Sequence, residues 1–145
     1  MTVSVLHTDR PDDELWARIE ALHQAVFGAP DELRVALEWP GTLLVWAEVD
    51  GRAVGYKLGY ERKPAHFYSW MGGVHPDLRG RGVASALMER QHDLLRERGI
   101  RKVRTKTSNA FRSMLILNLR HGFDVVGTYT NGRGEPRVIL DKRLT

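Results

Sequence analysis

The sequence predicts a mixed α/β domain of the α+β kind, with about seven strands in a mostly antiparallel, twisted sheet flanked by about four helices. Three observations carry this. Asp50-Gly51 separates two strand-like runs, the strongest short hairpin signal in the chain because both turn positions tolerate positive φ. Apolar residues between Gly82 and Arg98 recur with a helical period. The signals run strand, two helices, three strands, helix, strand, helix, two strands.

Each element has a local reason. Residues 3–6 read as a short strand. Asp12-Asp13-Glu14 supplies the carboxylates that favour a helix start, and Leu15, Ile19, Leu22 and Val26 continue at spacings of three and four to about Phe27. Gly28-Ala29-Pro30 breaks that helix, Asp31 is placed to cap a shorter one through Leu37, and Trp39-Pro40-Gly41 turns the chain. Residues 42–49 and 52–60 are the hairpin strands. A further strand covers 66–74, with glycines where another group can approach the backbone closely. In the next helix Val83, Ala84, Leu87, Met88, Leu94 and Leu95 share one face, Glu89, Arg90, Asp93, Arg96 and Glu97 the other, and Gly99 ends it. Residues 101–107 form a strand and 111–120 a helix stopped by His121-Gly122. Strands at 123–129 and 137–144 flank a second hairpin-type turn, Asn131 to Gly134.

The 145 residues fit one domain, 1–145, because a boundary near residue 29 or 63 leaves fragments too small to bury a core. There is no cysteine, which excludes disulfide scaffolds, thiolate metal sites and cysteine nucleophiles. The first ten residues lack the apolar core of a signal peptide and no stretch has bilayer-spanning length, so a cytoplasmic protein without a membrane partner is expected. The net charge is +4, concentrated in residues 79–106 and 112–143. On charge alone a polyphosphate ligand, nucleic acid or simple solubility all fit.

In Arg79-Gly80-Arg81-Gly82-Val83-Ala84 two glycines stand between a strand and the first turn of an amphipathic helix. Free amides and the positive end of the helix dipole converge there, and glycine lets a phosphate reach them. An ordinary glycine turn before a helix has the same spacing. No Gly-x-x-x-x-Gly-Lys-Ser/Thr occurs, and hairpin strands rather than a βαβ opening precede the loop, which disfavours P-loop and Rossmann readings.

This segment resembles the acyl-CoA loop of the GNAT superfamily of acetyltransferases, Arg/Gln-x-x-Gly-x-Gly/Ala, as does its approach Val74-His75-Pro76-Asp77-Leu78. The run from Met114 through Asn118 to Gly122-Phe123 resembles that family's following helix. The resemblance implies that the strands ending at Val74 and at Thr107 splay apart to admit pantetheine. Main-chain groups of Gly73 and Val74 then pair with it, and the amides of Gly80, Gly82, Val83, Ala84 and Ser85, with Arg79 and Arg81 nearby, hold the pyrophosphate. It further implies an N-acetyltransferase using acetyl-CoA, with an amine attacking the thioester directly and no metal. Asn118 stands where many members carry a tyrosine that protonates the departing thiolate. Asparagine cannot do so, though its amide can donate to the cofactor or face solvent.

No motif places a replacement acid or a base. Tyr68 and Tyr129 are candidates for the acid. Glu61, at the end of a hairpin strand, and His66 are candidates for the base, and positioning alone can also supply acceleration. His75, His92 and His121 lack ligand spacing, so no metal is expected. Tyr56, Tyr60, Tyr68 and Trp70 fall where they share one sheet face, as core or as an acceptor pocket. Two rival functions remain: a catalytically silent acyl-CoA-binding domain, which the asparagine suggests, and a basic nucleic-acid-binding module, which lacks a recognisable reading motif. The edge of the last strand offers a place for two subunits to pair.

Overall fold

The computed structural model describes residues 2–145. Its strands are β1 (Ser4–Thr8), β2 (Leu43–Val49), β3 (Arg52–Lys63), β4 (His66–Val74), β5 (Lys102–Ser108), β6 (Asp124–Thr130) and β7 (Pro136–Arg143), joined in one sheet of order β1-β2-β3-β4-β5-β7-β6. The α-helices are α1 (Asp13–Phe27), α2 (Val83–Glu97) and α3 (Arg112–Arg120).

The helix boundaries follow the expected chemistry. Asp12 caps α1 by accepting from the Leu15 amide at 2.8 Å. Gly99 and Gly122 end α2 and α3 with φ near 79° and 88°. In each case the following apolar residue, Ile100 or Phe123, turns back and bonds a carbonyl five positions earlier. The fourth expected helix is instead a 3₁₀ turn, Leu33–Glu38, and Asp31 does not cap it. The Asp31 carboxylate accepts from His23 Nε2 at 2.7 Å, leaving a short segment without a cap.

Asp50 and Gly51 both take positive φ, 52° and 75°, and join β2 to β3 as predicted. β7 inserts between β5 and β6, so the open edges are β1 and β6 rather than the last strand. One face of the sheet packs Leu44, Tyr56 and Leu58 against Trp16, Ile19 and Leu22 of α1. The other packs Leu43, Val45, Phe67 and Val103 against Leu87, Met88 and Leu95 of α2. Gly59 is required by close packing, since a Cβ there would stand 2.2 Å from the Tyr68 carbonyl oxygen and 2.4 Å from the Phe67 ring.

The only parallel pairing among the described residues, β4 with β5, covers just His66–Ser69 against Lys102–Thr105. Beyond it β4 continues to Val74, while β5 stays with β7 as far as Ser108. The sheet is therefore split from one end, in the place where the sequence resemblance calls for it.

Candidate active site

The vertex of the split is pinned by Ser69. Its carbonyl accepts from Thr105 Oγ1 at 3.0 Å and its hydroxyl accepts from Gln91 Nε2 of α2 at 3.3 Å. Farther along β4 lies a narrow slot of about 10 Å³, walled by Tyr56, Lys57, Gly72, Gly73, Val74, Ala84, Leu87, Met114 and Leu117. The His75 amide donates to the Val54 carbonyl at 2.8 Å. Antiparallel alternation then gives the main-chain groups of Gly73 to β3 and turns those of Gly72 and Val74 toward the split. Gly73 also lines the slot, and the space left by its missing Cβ is taken by Val26 of α1, 2.7 Å from that position. The Val74 carbonyl also accepts from Arg79 Nε at 3.3 Å, which fixes that side chain across the mouth of the slot.

At the outer end Gly80 and Gly82 both take left-handed backbone, φ 76° and 78°, with nothing within 4 Å of where a Cβ would stand. Gly82 is the N-cap of α2 and, unlike Asp12 at α1, offers no side chain to the first amides. The amides of Val83, Ala84 and Ser85 therefore point outward at the positive end of a helix dipole, with Arg79 and Arg81 on the same loop. This arrangement suits a pyrophosphate. The Ser85 hydroxyl is engaged with His121 Nε2 at 3.0 Å, tying the start of α2 to the end of α3.

Asn118 is the one buried residue of α3. Its side chain does not face solvent, and its main-chain carbonyl accepts from the Phe123 amide at 3.0 Å.

On the α1 face Tyr68 sits one residue before the vertex. The rings of Tyr60 and Tyr68 lie 5.7 Å apart, Trp70 lies 6.3 Å from Tyr60, and the Lys106 ammonium hangs between Tyr68 and Tyr129 at 5.4 and 5.3 Å from their centroids. Burial pushes the Tyr68 phenol up to about 12, so it stays protonated at neutral pH. Tyr56 parts from this group: it is core, and its hydroxyl donates to His23 Nδ1, whose other nitrogen donates to Asp31. His66 begins the paired stretch, three residues from Ser69, and burial with the nearby Lys63 and Lys102 charges lowers its pKa.

Glu61 is not brought to this group. It pairs with Phe67, whose side chain lies in the α2-side core, and Tyr60 next to it points the other way. Its carboxylate occupies the space over Gly41, 2.6 Å from where a Cβ would stand there.

Sequence reasoning passed over Lys57, which lies in the middle of β3 and is only 9% exposed. Burial lowers its ammonium to about 8. The available signal was a lysine at an inward position of a strand buried on both faces. Beneath α2, His92 is held neutral, its pKa lowered to about 2 by burial and by Lys142 and Lys57, and it accepts from Lys142 Nζ at 3.1 Å.

Comparison with known proteins agrees with this geometry. The acetyltransferase (GNAT) family matches residues 6–123. The L-2,4-diaminobutyric acid acetyltransferase of Nocardia farcinica is 41% identical over 73 residues, 49% of this chain and 37% of that one. An acetyltransferase of Pectobacterium atrosepticum is 30% identical over 130 residues, 88% and 87% of the two chains. The chain thus spans little more than a third of the length of the first of these relatives. In fold it resembles the ribosomal-protein-S18-alanine N-acetyltransferase of Escherichia coli, with TM-score 0.83, 15% identity and coverage of 99% and 95%. A GNAT family acetyltransferase of Elizabethkingia anophelis, solved with acetyl-CoA bound, superposes with TM-score 0.78 at 12% identity over 97% of each chain. With the split sheet, the uncapped helix start and the family match over most of its length, the chain belongs to the GNAT acetyltransferase family.

Proposed function

We propose that this chain transfers the acetyl group of acetyl-CoA to the amino group of a small molecule or peptide, by direct attack of the neutral amine on the thioester. The observation that carries the reading is the parting of β4 from β5 beyond Ser69, with a slot along β4 walled by α2 and α3 and the bare N-terminus of α2 at Gly82. Pyrophosphate binds the amides of Gly82 to Ser85, flanked by Arg79 and Arg81, and pantetheine pairs with the edge of β4 at Gly72 and Val74. The thioester then lies beside β4 between Gly72 and the vertex, and Asn118 approaches the cofactor from α3. No metal takes part in this scheme.

The amine enters from the α1 face, over Tyr60, Tyr68 and Trp70. Tyr68, kept protonated, donates a hydrogen bond there, and Glu61, on the opposite face, has no part in proton transfer. The relative acting on diaminobutyric acid makes small amino compounds the first acceptors to try. A cytoplasmic setting suits a chain without cysteine in which, among the described residues, no helix is long and apolar enough to cross a membrane.

The test is incubation with acetyl-CoA and a panel of amines while free thiol is followed. Amine-dependent thiol release is expected. Saturable CoA binding with no release across the panel would replace the proposal with a silent acyl-CoA-binding domain.

A further inference from the structure

We infer that Lys57, reaching over Gly72 into the slot between β4 and the helices α2 and α3, is the group that protonates the departing CoA thiolate in this chain. The inference rests on the acetyl-transfer reading above and supplies the proton donor that Asn118 cannot be.

Its first support is position. Lys57 of β3 is directly opposite Gly72 of β4, and both line the slot. A Cβ on Gly72 would stand 3.3 Å from Lys57 Cγ. The lysine stem therefore leans on β4 where that strand has no side chain, on the α2 side of the sheet. Gly72 has ordinary backbone, so the glycine serves this close approach rather than a turn.

The second support is the absence of a counter-charge. No ion pair among the described residues includes Lys57. From α2 it is faced by neutral His92, behind which Lys142 of β7 brings further positive charge. The slot walls from α2 and α3 are the apolar Leu87, Met114 and Leu117. A buried ammonium without an anion is costly unless something supplies negative charge. Thioester cleavage supplies it, as a thiolate formed in the same slot.

The alternatives fit less well. Asn118 carries no ionisable group, and Tyr68 lies on the other face with a phenol near 12. Lys57, lowered to about 8, is close to an ordinary thiol at about 8.5, so a proton passes between them with little free-energy change. In the reaction the amine nitrogen bonds to the carbonyl carbon and the C–S bond breaks with its electron pair going to sulfur. Lys57 Nζ gives its proton to sulfur and becomes neutral. The acceptor nitrogen releases a proton to solvent as the amide forms, and Lys57 takes one back from solvent.

The experiment titrates the thiol of bound CoA through its thiolate ultraviolet absorbance, in the wild type and in Lys57→Met and Lys57→Gln, alongside steady-state acetylation of an accepted amine. In both variants the bound thiol should titrate about one pH unit or more higher than in the wild type, because a nearby cation is gone. The turnover number should fall about 100-fold or more, as for loss of a general acid, and KM for acetyl-CoA should change little. Folded variants with unchanged turnover and unchanged thiol titration overturn the assignment. So does loss of CoA affinity alone, which would make Lys57 a pantetheine anchor. If the wild type binds CoA without acetylating any amine, the acetyl-transfer reading fails while the titration still decides whether Lys57 meets the thiol.

Discussion

Replacing Lys57 by methionine should make the protein more stable at neutral pH while disabling it. Burial takes the Lys57 ammonium from 10.5 to about 8, and about 2.5 pH units at ~1.36 kcal/mol each is a penalty of about 3 kcal/mol. The folded pKa lies below the unfolded one, so between the two the unfolded chain holds more protons and wild-type stability rises with pH. The penalty is therefore full below about pH 8 and gone above about 10.5. Urea denaturation of both chains at pH 7 and again near pH 10 measures it, with every other titrating group cancelling in the difference. The variant should be ahead by about 3 kcal/mol at pH 7, or ~6–12 °C in Tm, and the gap should close toward pH 10. Burial of the methionine itself adds only an offset that does not vary with pH. A difference equal at both pH values, or a variant less stable at pH 7, would show that Lys57 is compensated and refute the reasoning.

Other substitutions probe the remaining parts. Gly82→Glu puts bulk and negative charge where the proposal seats pyrophosphate; with a phosphate ~5 Å away the repulsion is about 1–3 kcal/mol, so calorimetric CoA affinity should fall about 10- to 100-fold or more. Gly82→Ala separates the left-handed backbone cost from the charge, and a folded glutamate variant with unchanged affinity contradicts the cradle. Asp141, held below the usual carboxylate range by its bidentate bonds to Arg104 at 2.8 and 3.0 Å, contributes stability present above about pH 4 and lost as pH falls through its folded pKa. Asp141→Asn should therefore cost about 1.5–3 kcal/mol at pH 7 and flatten the acid limb of a stability–pH curve. Gly59→Ala drives a methyl into the Tyr68 carbonyl and Phe67 ring and should cost about 3 kcal/mol or more by thermal denaturation. Asn118→Tyr, which installs the side chain the family resemblance implies for many members, should lose about 1–3 kcal/mol to overpacking at a buried position and gain no turnover.

The fold was legible because its strongest signals are local. Asp50-Gly51, Asp12 and the stops at Gly99 and Gly122 each act on the few residues beside them, and each appears where the sequence puts it. The structure departs from the sequence reading for two kinds of reason. Asp31 looked like a cap because capping is also local, but it is claimed by His23, eight residues away in sequence. Glu61 looked suitable because its strand ends near the site, yet which face it takes depends on register, and the β3–β4 pairing shifts between Leu58 and Gly59 and again between Glu61 and Lys63. Lys57 carried no motif, and its significance appears only when α2, β4 and α3 close around it.

The two glycines before Val74 show how these long-range requirements meet. Gly73 opens one face of β4 to Val26 of α1, and Gly72 opens the other to Lys57. A strand that gives up two side chains forfeits packing and β-propensity, which a sheet built only for stability would not do. The uncompensated ammonium adds about 3 kcal/mol, a large share of the ~5–15 kcal/mol by which a domain is stable. Costs of this kind persist where a site needs them. Here both fall on the strand that borders the slot, and the only buried residue of the facing helix is an asparagine that cannot ionise. An acid lost from α3 and a lysine admitted from β3 are on this view one change: the proton moves to the thiolate from across β4 instead of from the helix beyond the split.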